Sequence, residues 1–121
     1  MITIILMALA LALLQIWIIP MLINIKNIGY QLSNRDEPMN SGSLNARILR
    51  ASTNLQESLP SFLALAILSI ITEVDNSMLA MTWLFLRVLF FFVYAVGIPY
   101  IRSVIWIGSI ACLVLMGLAL I

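Results

Sequence analysis

Histidine is absent from this 121-residue chain, and cysteine occurs once, at Cys112. The first absence removes the commonest general base and the commonest ligand of transition metals, so we expect no metal site. A single cysteine excludes an internal disulfide. Cys112 also lies inside the last apolar run, "IACLVLMGLAL", which favours a small buried hydrophobic side chain over a reactive thiol.

Charge is the other scarce property of the chain. Charged residues make up 9% and hydrophobic residues 64%, whereas ordinary soluble domains carry about 25% charged residues. A chain of this size has too little interior to hide so much apolar surface, so the composition predicts an integral membrane protein. The net charge of +1 indicates no nucleic-acid partner. The apolar N-terminus lacks a basic segment and a cleavage pattern, so we expect a membrane helix there and no cleaved signal peptide.

Four apolar runs are long enough to cross a lipid bilayer, which takes about 20 helical residues. They cover residues 2–25, 44–72, 78–97 and 100–121. The second and third connections, "EVDN" and "GIPY", are short, and short connections make neighbouring helices antiparallel. The sequence therefore predicts one all-α domain over residues 1–121, an antiparallel bundle of four transmembrane helices.

Basic residues are distributed unevenly among the connections. They lie in or beside the first and third connections, at Lys26, Arg35, Arg47, Arg50 and Arg102. The N-terminus, the "EVDN" turn and the C-terminus have none. Because cytoplasmic loops carry the excess of Lys and Arg, both termini are predicted on the non-cytoplasmic side.

The second helix carries a polar stripe in its front half. At about 100° per residue, the following side chains fall within an arc of about 80°: Arg47, Arg50, Asn54, Glu57 and Ser61. Arg87 lies near the middle of the third helix, where a charge costs about 2.5–3.5 kcal/mol on insertion scales and needs a partner. We predict that Glu57 is that partner, because the long arginine side chain can reach it.

Polar residues of three helices are thus predicted to meet at one level of the cytoplasmic leaflet. They are Arg47, Arg50, Asn54, Glu57, Arg87, Tyr94 and Arg102. Four arginines against one carboxylate suit an anionic ligand, because the guanidinium group matches carboxylates with two parallel hydrogen bonds. Two alternatives remain open: the arginines near the helix ends are membrane anchors, and Asn54, Glu57 and Arg87 only fix helix packing.

The segment "RILRASTNLQESLPSF" resembles the second-helix signature of the MAPEG family, the membrane-associated proteins in eicosanoid and glutathione metabolism. The matching residues are Arg50, Ala51, Asn54, Glu57 and Pro60. The segment "RVLFFFVYAVGIPYIRS" resembles the third-to-fourth helix region of the same family, with Arg87, Tyr94, Arg102 and Ser103. The loop "NRDEP" and the compact length resemble the bacterial branch, which implies the bacterial inner membrane.

The resemblance implies a homotrimer that binds glutathione at the cytoplasmic side, between subunits, and uses it on lipophilic electrophiles or lipid hydroperoxides. The glutathione-contacting residues that the resemblance implies are Arg50, Asn54, Glu57, Tyr94 and Arg102. The polar cluster adds Arg47 and Arg87 to the predicted cofactor-binding residues. Arg102 is implied to stabilise the thiolate, with the Ser103 hydroxyl beside it, and these two are the implied catalytic residues. The alternative function is a non-catalytic accessory or structural subunit of a larger membrane complex. A small transporter is disfavoured, because the chain has no inverted repeat.

Overall fold

The structure, a computed structural model, describes residues 1–27, 29, 32–33 and 42–121. The first helical span, α1, runs from Ile2 to Ile23, and a short 3₁₀ turn follows at Ile25–Asn27. The other helices are α2 (Ser43–Ile71), α3 (Ser77–Val96) and α4 (Pro99–Ala119). All four are long and apolar enough to cross a membrane. The "NRDEP" loop and Arg35 lie outside the described residues.

The helices form the expected bundle, with α1 antiparallel to α2, α2 to α3, and α3 to α4. Residues that touch across α2 and α3 show the register, because Arg50 contacts Tyr94, Phe62 stacks on Trp83, and Ser69 bonds to Asn76. α2 and α4 therefore run in the same direction, and a Cβ atom on Gly117 of α4 would lie 3.7 Å from the Leu65 side chain of α2. This arrangement confirms the predicted fold class of four membrane-crossing helices.

An aromatic pair lies at the centre of the bundle core. The rings of Phe62 and Trp83 stack with centroids 4.0 Å apart and planes within 6° of each other. Both side chains are fully buried, and small residues such as Ala8 and Ala66 pack beside them. The stack fixes the rotation of α2 against α3, and that rotation decides which polar side chains of the two helices meet.

α1 contains a π-helical stretch at Leu14–Ile18, just before Pro20. In a π-helix the carbonyl of residue 15 would accept from the backbone N–H of residue 20, which proline lacks. The Ser52 hydroxyl of α2 lies 2.9 Å from the Gln15 carbonyl oxygen and 2.8 Å from the Ile48 carbonyl oxygen of its own helix, so its single proton is shared between these two acceptors. The structure thus places a wider turn just before Pro20 and a serine of α2 beside it.

The acidic end of the bundle is closed by side-chain hydrogen bonds. The buried Asn76 side chain donates to Ser69 Oγ at 2.9 Å and to the Met116 carbonyl at 3.2 Å, so it ties α2, α3 and α4 together. Asp75 accepts from the backbone N–H of Ser77 at 3.1 Å, and the hydrogen bonds from Ser77 lower the pKa of its carboxyl group. The arginine-rich end of the bundle is the opposite one, where α2 begins and α3 meets α4.

Candidate functional site

The turn between α3 and α4 brings their polar residues together. Gly97 ends α3 in the left-handed conformation, with φ at 91°. Its N–H donates to the carbonyls of Val93 and Tyr94, and the N–H of Ile98 bonds to Val93. Pro99 then starts α4 at a position where a helix does not need the missing N–H. The tight reversal therefore sets the first turn of α4 beside the last turn of α3.

Tyr94 lies between two arginines from different helices. Arg50 of α2 donates from Nε to the Tyr94 hydroxyl oxygen at 3.1 Å. The guanidinium carbon of Arg102 lies 4.5 Å from the centroid of the Tyr94 ring, a cation–π distance. Arg102 is also tied by Nε to the Pro99 carbonyl at 3.1 Å. These contacts order both guanidinium groups while their terminal nitrogens make no hydrogen bond to the described residues.

A third arginine completes a cleft of about 190 Å³ at this end of the bundle. The Arg47 side chain lies directly over Gly97, where a Cβ atom would come within 2.9 Å of its guanidinium carbon. The cleft is lined by Arg47, Arg50, Tyr94, Gly97, Ile98, Pro99 and Arg102. Three positive charges share this lining with no carboxylate among them, so a bound anion would relieve their mutual repulsion.

A second cleft, of about 230 Å³, opens on the other side of Tyr94 and Arg102. Its lining is Asn54, Phe90, Tyr94, Arg102, Ser103 and Trp106. Its lining combines hydrogen-bonding groups with aromatic rings, and Trp106 is 40% exposed on the outer surface of α4. Because both clefts share Tyr94 and Arg102, an anionic group in one and an apolar group in the other would lie close together.

Arg87 is almost fully buried, with 1% of its surface exposed, although it lies in the middle of α3. Its Nη2 donates to Oδ1 of Asn54 at 2.7 Å, and its guanidinium carbon lies 4.8 Å from the Phe90 ring centroid. Its Nε and Nη1 atoms are buried and have no hydrogen-bond partner among the described residues.

The predicted Glu57–Arg87 pair is therefore wrong for the single subunit. Glu57 follows Asn54 by three residues on α2, and it is exposed on the outer surface of the bundle. The rotation of α2 set by the Phe62–Trp83 stack turns Asn54, rather than Glu57, toward Arg87.

The structure brings six of the eight residues singled out in the sequence to the two clefts: Arg47, Arg50, Asn54, Tyr94, Arg102 and Ser103. Arg87 lies behind Asn54 and Glu57 faces outward, so neither lines a cleft. Sequence reasoning missed Trp106, which lies one helical turn after Arg102 and Ser103 and faces the same cleft. That spacing is the signal that identifies it.

Metal binding is not indicated by the described part of the chain, which contains no cluster of three or more His, Cys, Asp or Glu side chains. The guanidinium groups of the site carry positive charge and only donate hydrogen bonds, so the site is better suited to an anion than to a cation. The fold and the site thus define a helical integral membrane protein with an arginine-lined cleft at one end of its bundle.

The sequence model of the MAPEG family matches residues 2–121, which is nearly the whole chain. The chain therefore belongs to the MAPEG family, as its second-helix segment indicates. Comparisons with curated proteins and with solved structures returned no match.

Proposed function

We propose that this protein binds glutathione and acts as a glutathione-dependent transferase or peroxidase on lipophilic electrophiles at the cytoplasmic leaflet of a bacterial inner membrane. The observation that carries the proposal is the cleft whose three cations, Arg47, Arg50 and Arg102, have no carboxylate in its lining. Carboxylate groups are the natural partners of such guanidinium groups. Glutathione carries two carboxylates and would supply the nucleophilic thiol that this chain's own residues do not offer.

Arg102 has the position expected of a residue that stabilises a thiolate. It borders both clefts, and its contacts with Tyr94 and Pro99 order its guanidinium group. A nearby cation favours the thiolate over the thiol, which raises the nucleophile's concentration at neutral pH. Ser103 follows it in the chain and lines the second cleft, where its hydroxyl would donate a hydrogen bond to the ligand. Phe90 and Trp106 supply the apolar wall for a lipophilic substrate that enters from the bilayer.

A homotrimer is part of the same proposal, and Glu57 supports it. This carboxylate is exposed on the surface of the single subunit, one helical turn beyond the residue that contacts the mid-helix Arg87. An ionisable group at such depth in a membrane faces protein or water rather than lipid. In a trimer, a neighbouring subunit would shield Glu57 from lipid and would add this carboxylate to the glutathione site.

The test is native mass spectrometry and calorimetric titration of the detergent-solubilised protein with reduced glutathione. We expect a trimer that binds glutathione and shows the ultraviolet absorbance of a thiolate. Arg102→Ala should weaken binding about 10- to 100-fold, the range for losing a hydrogen bond to a charged group, and should remove the thiolate signal.

Lys26→Ala is the matched control, because it removes one positive charge from the same end of the bundle but lies outside both clefts. It should bind glutathione as the wild type does. A protein that ignores glutathione and co-purifies with a stoichiometric partner would instead support the accessory-subunit function.

A further inference from the structure

Arg87 has no route to a ligand in either cleft. It is 1% exposed and lines neither of them. Its one hydrogen bond within the described chain goes to the neutral side chain of Asn54. A buried guanidinium in the middle of a membrane helix is costly, so its contact with a residue of the cleft calls for a functional explanation.

The contact with Arg87 determines the orientation of the Asn54 amide. A guanidinium group has five N–H donors and no acceptor, so only the Asn54 oxygen can face it. If the amide were flipped, its Nδ2 donors would face the N–H donors of Arg87, and neither group would have an acceptor. The Asn54 Oδ1 atom accepts from Arg87 Nη2 at 2.7 Å, which leaves the Nδ2 group with its two N–H donors for the cleft.

The other polar groups of the second cleft are also placed to donate. The Tyr94 oxygen accepts from Arg50, so its own proton is available to a ligand. Arg102 has only donors, and Ser103 has a rotatable hydroxyl. With the amide oxygen of Asn54 turned away, the cleft suits a group that accepts hydrogen bonds and carries negative charge.

We propose that Arg87 is a positioning residue: it holds the Asn54 amide so that Nδ2 donates a hydrogen bond to a carboxylate or thiolate in the cleft beside Arg102. This inference rests on the proposed function, because glutathione carries both of those groups. It assigns to Asn54 the contact with the ligand and to Arg87 the orientation of Asn54. It also explains why a neutral amide, and not a carboxylate, stands beside a buried arginine.

Asn54→Asp tests the inference, because it separates stability from binding. An aspartate keeps the shape and the acceptor that faces Arg87, and it gives the buried arginine a counter-charge. It also replaces the N–H donors in the cleft with a second acceptor. We expect the melting temperature of the detergent-solubilised protein to equal or exceed that of the wild type, while the Kd for reduced glutathione rises at least about tenfold.

Asn45→Asp is the matched control. It makes the same chemical change on the same helix, and Asn45 lies outside both clefts. Its Oδ1 accepts from Asn24 Nδ2 at 2.9 Å, a bond that an aspartate oxygen preserves. We expect the Kd of this variant to stay within about twofold of the wild type, well under the change of about 1.4 kcal/mol that a tenfold difference represents.

If Asn54→Asp does not fold, a second pair of variants tests whether Arg87 orients the Asn54 amide. Arg87→Lys keeps a group that only donates, whereas Arg87→Gln can donate or accept and so releases the amide of Asn54. Arg87→Lys should bind glutathione several-fold more tightly than Arg87→Gln. A merely structural Arg87 predicts equal binding by the folded fraction of each variant.

The inference is overturned if Asn54→Asp binds glutathione as tightly as the wild type, or if the two Arg87 variants bind equally. A wild-type protein that does not bind glutathione refutes the proposed function, and the assigned ligand contact of Asn54 fails with it. The wild-type titration therefore distinguishes the two failures.

Discussion

Single residues at the turn between α3 and α4 decide the shape of the arginine-lined cleft. Gly97 has a φ of 91°, a conformation in which a side chain is strained. The same residue has no Cβ atom, and Arg47 occupies the space where one would lie. One glycine thus serves both as the end of α3 and as the floor for a guanidinium group of the site.

Gly97→Ala is expected to lower the stability of the protein by about 1–2 kcal/mol from backbone strain alone. It should also displace Arg47 and weaken glutathione binding, because the new Cβ atom would lie 2.9 Å from the Arg47 guanidinium carbon. Thermal denaturation in detergent and titration with glutathione measure the two effects.

Gly42→Ala is the control for this change. Gly42 has a φ of −66°, and a Cβ atom there meets nothing within 4 Å. We expect a stability change within about 0.5 kcal/mol. Equal melting temperatures for the two variants would contradict the strain argument.

At the scale of elements, α1 and α2 are joined by a hydrogen bond that proline makes necessary. The π-helical stretch leaves the Gln15 carbonyl without the N–H of residue 20, and Ser52 supplies a donor from α2. Both residues are buried, so water cannot take over this bond. The irregular turn of α1 therefore gives rise to a specific hydrogen bond between α1 and α2.

Ser52→Ala should destabilise the protein by about 1–3 kcal/mol, the cost of leaving a buried acceptor unsatisfied. Thr53→Ala is the control, because the exposed Thr53 hydroxyl bonds only to the carbonyl of Leu49 in its own helix. Pro20→Ala restores the missing N–H, so Ser52→Ala should cost less in that background. Additive effects of the two substitutions on the melting temperature would argue against this coupling.

At the scale of the whole molecule, the distribution of charge predicts how the bundle sits in a membrane. Lys26, Arg47, Arg50 and Arg102 lie at one end of the described bundle, whereas the opposite turn carries Glu73 and Asp75. Arg87 lies in the middle of α3. Large apolar side chains are exposed along the sides, such as Phe85 at 64% and Val104 at 69%. We expect the arginine end to face the cytoplasm, because Lys and Arg accumulate on that side.

Cysteine labelling measures this orientation. The native Cys112 is buried, so it should be a weak background site for a membrane-impermeant thiol reagent. In intact cells or right-side-out vesicles, Asp75→Cys should be labelled and Lys26→Cys should be protected until the membrane is opened. The reverse labelling pattern would contradict the predicted topology, because the arginine-lined cleft would then face the non-cytoplasmic side of the membrane.

The number of helices, their antiparallel order and the arginine-rich end follow from the sequence, because length and hydropathy are local properties. A run of about 20 apolar residues has one stable conformation in lipid, where every backbone group needs a partner inside the chain. Short turns then leave the helices little choice of order. Helical spacing likewise grouped Arg47, Arg50 and Asn54 on one face of α2, and these three residues do reach the clefts.

The tertiary structure decided which of these side chains meet. Helical spacing fixes directions around one axis, but the rotation between two axes comes from packing such as the Phe62–Trp83 stack. A small rotation exchanges residues three apart, so Arg87 contacts Asn54 and not Glu57. The placing of Tyr94 between Arg50 and Arg102 likewise depends on three helices at once. Composition and helical spacing therefore determined that an arginine-rich polar cluster forms at one end of the bundle. The packing between helices decided which of its side chains contact each other.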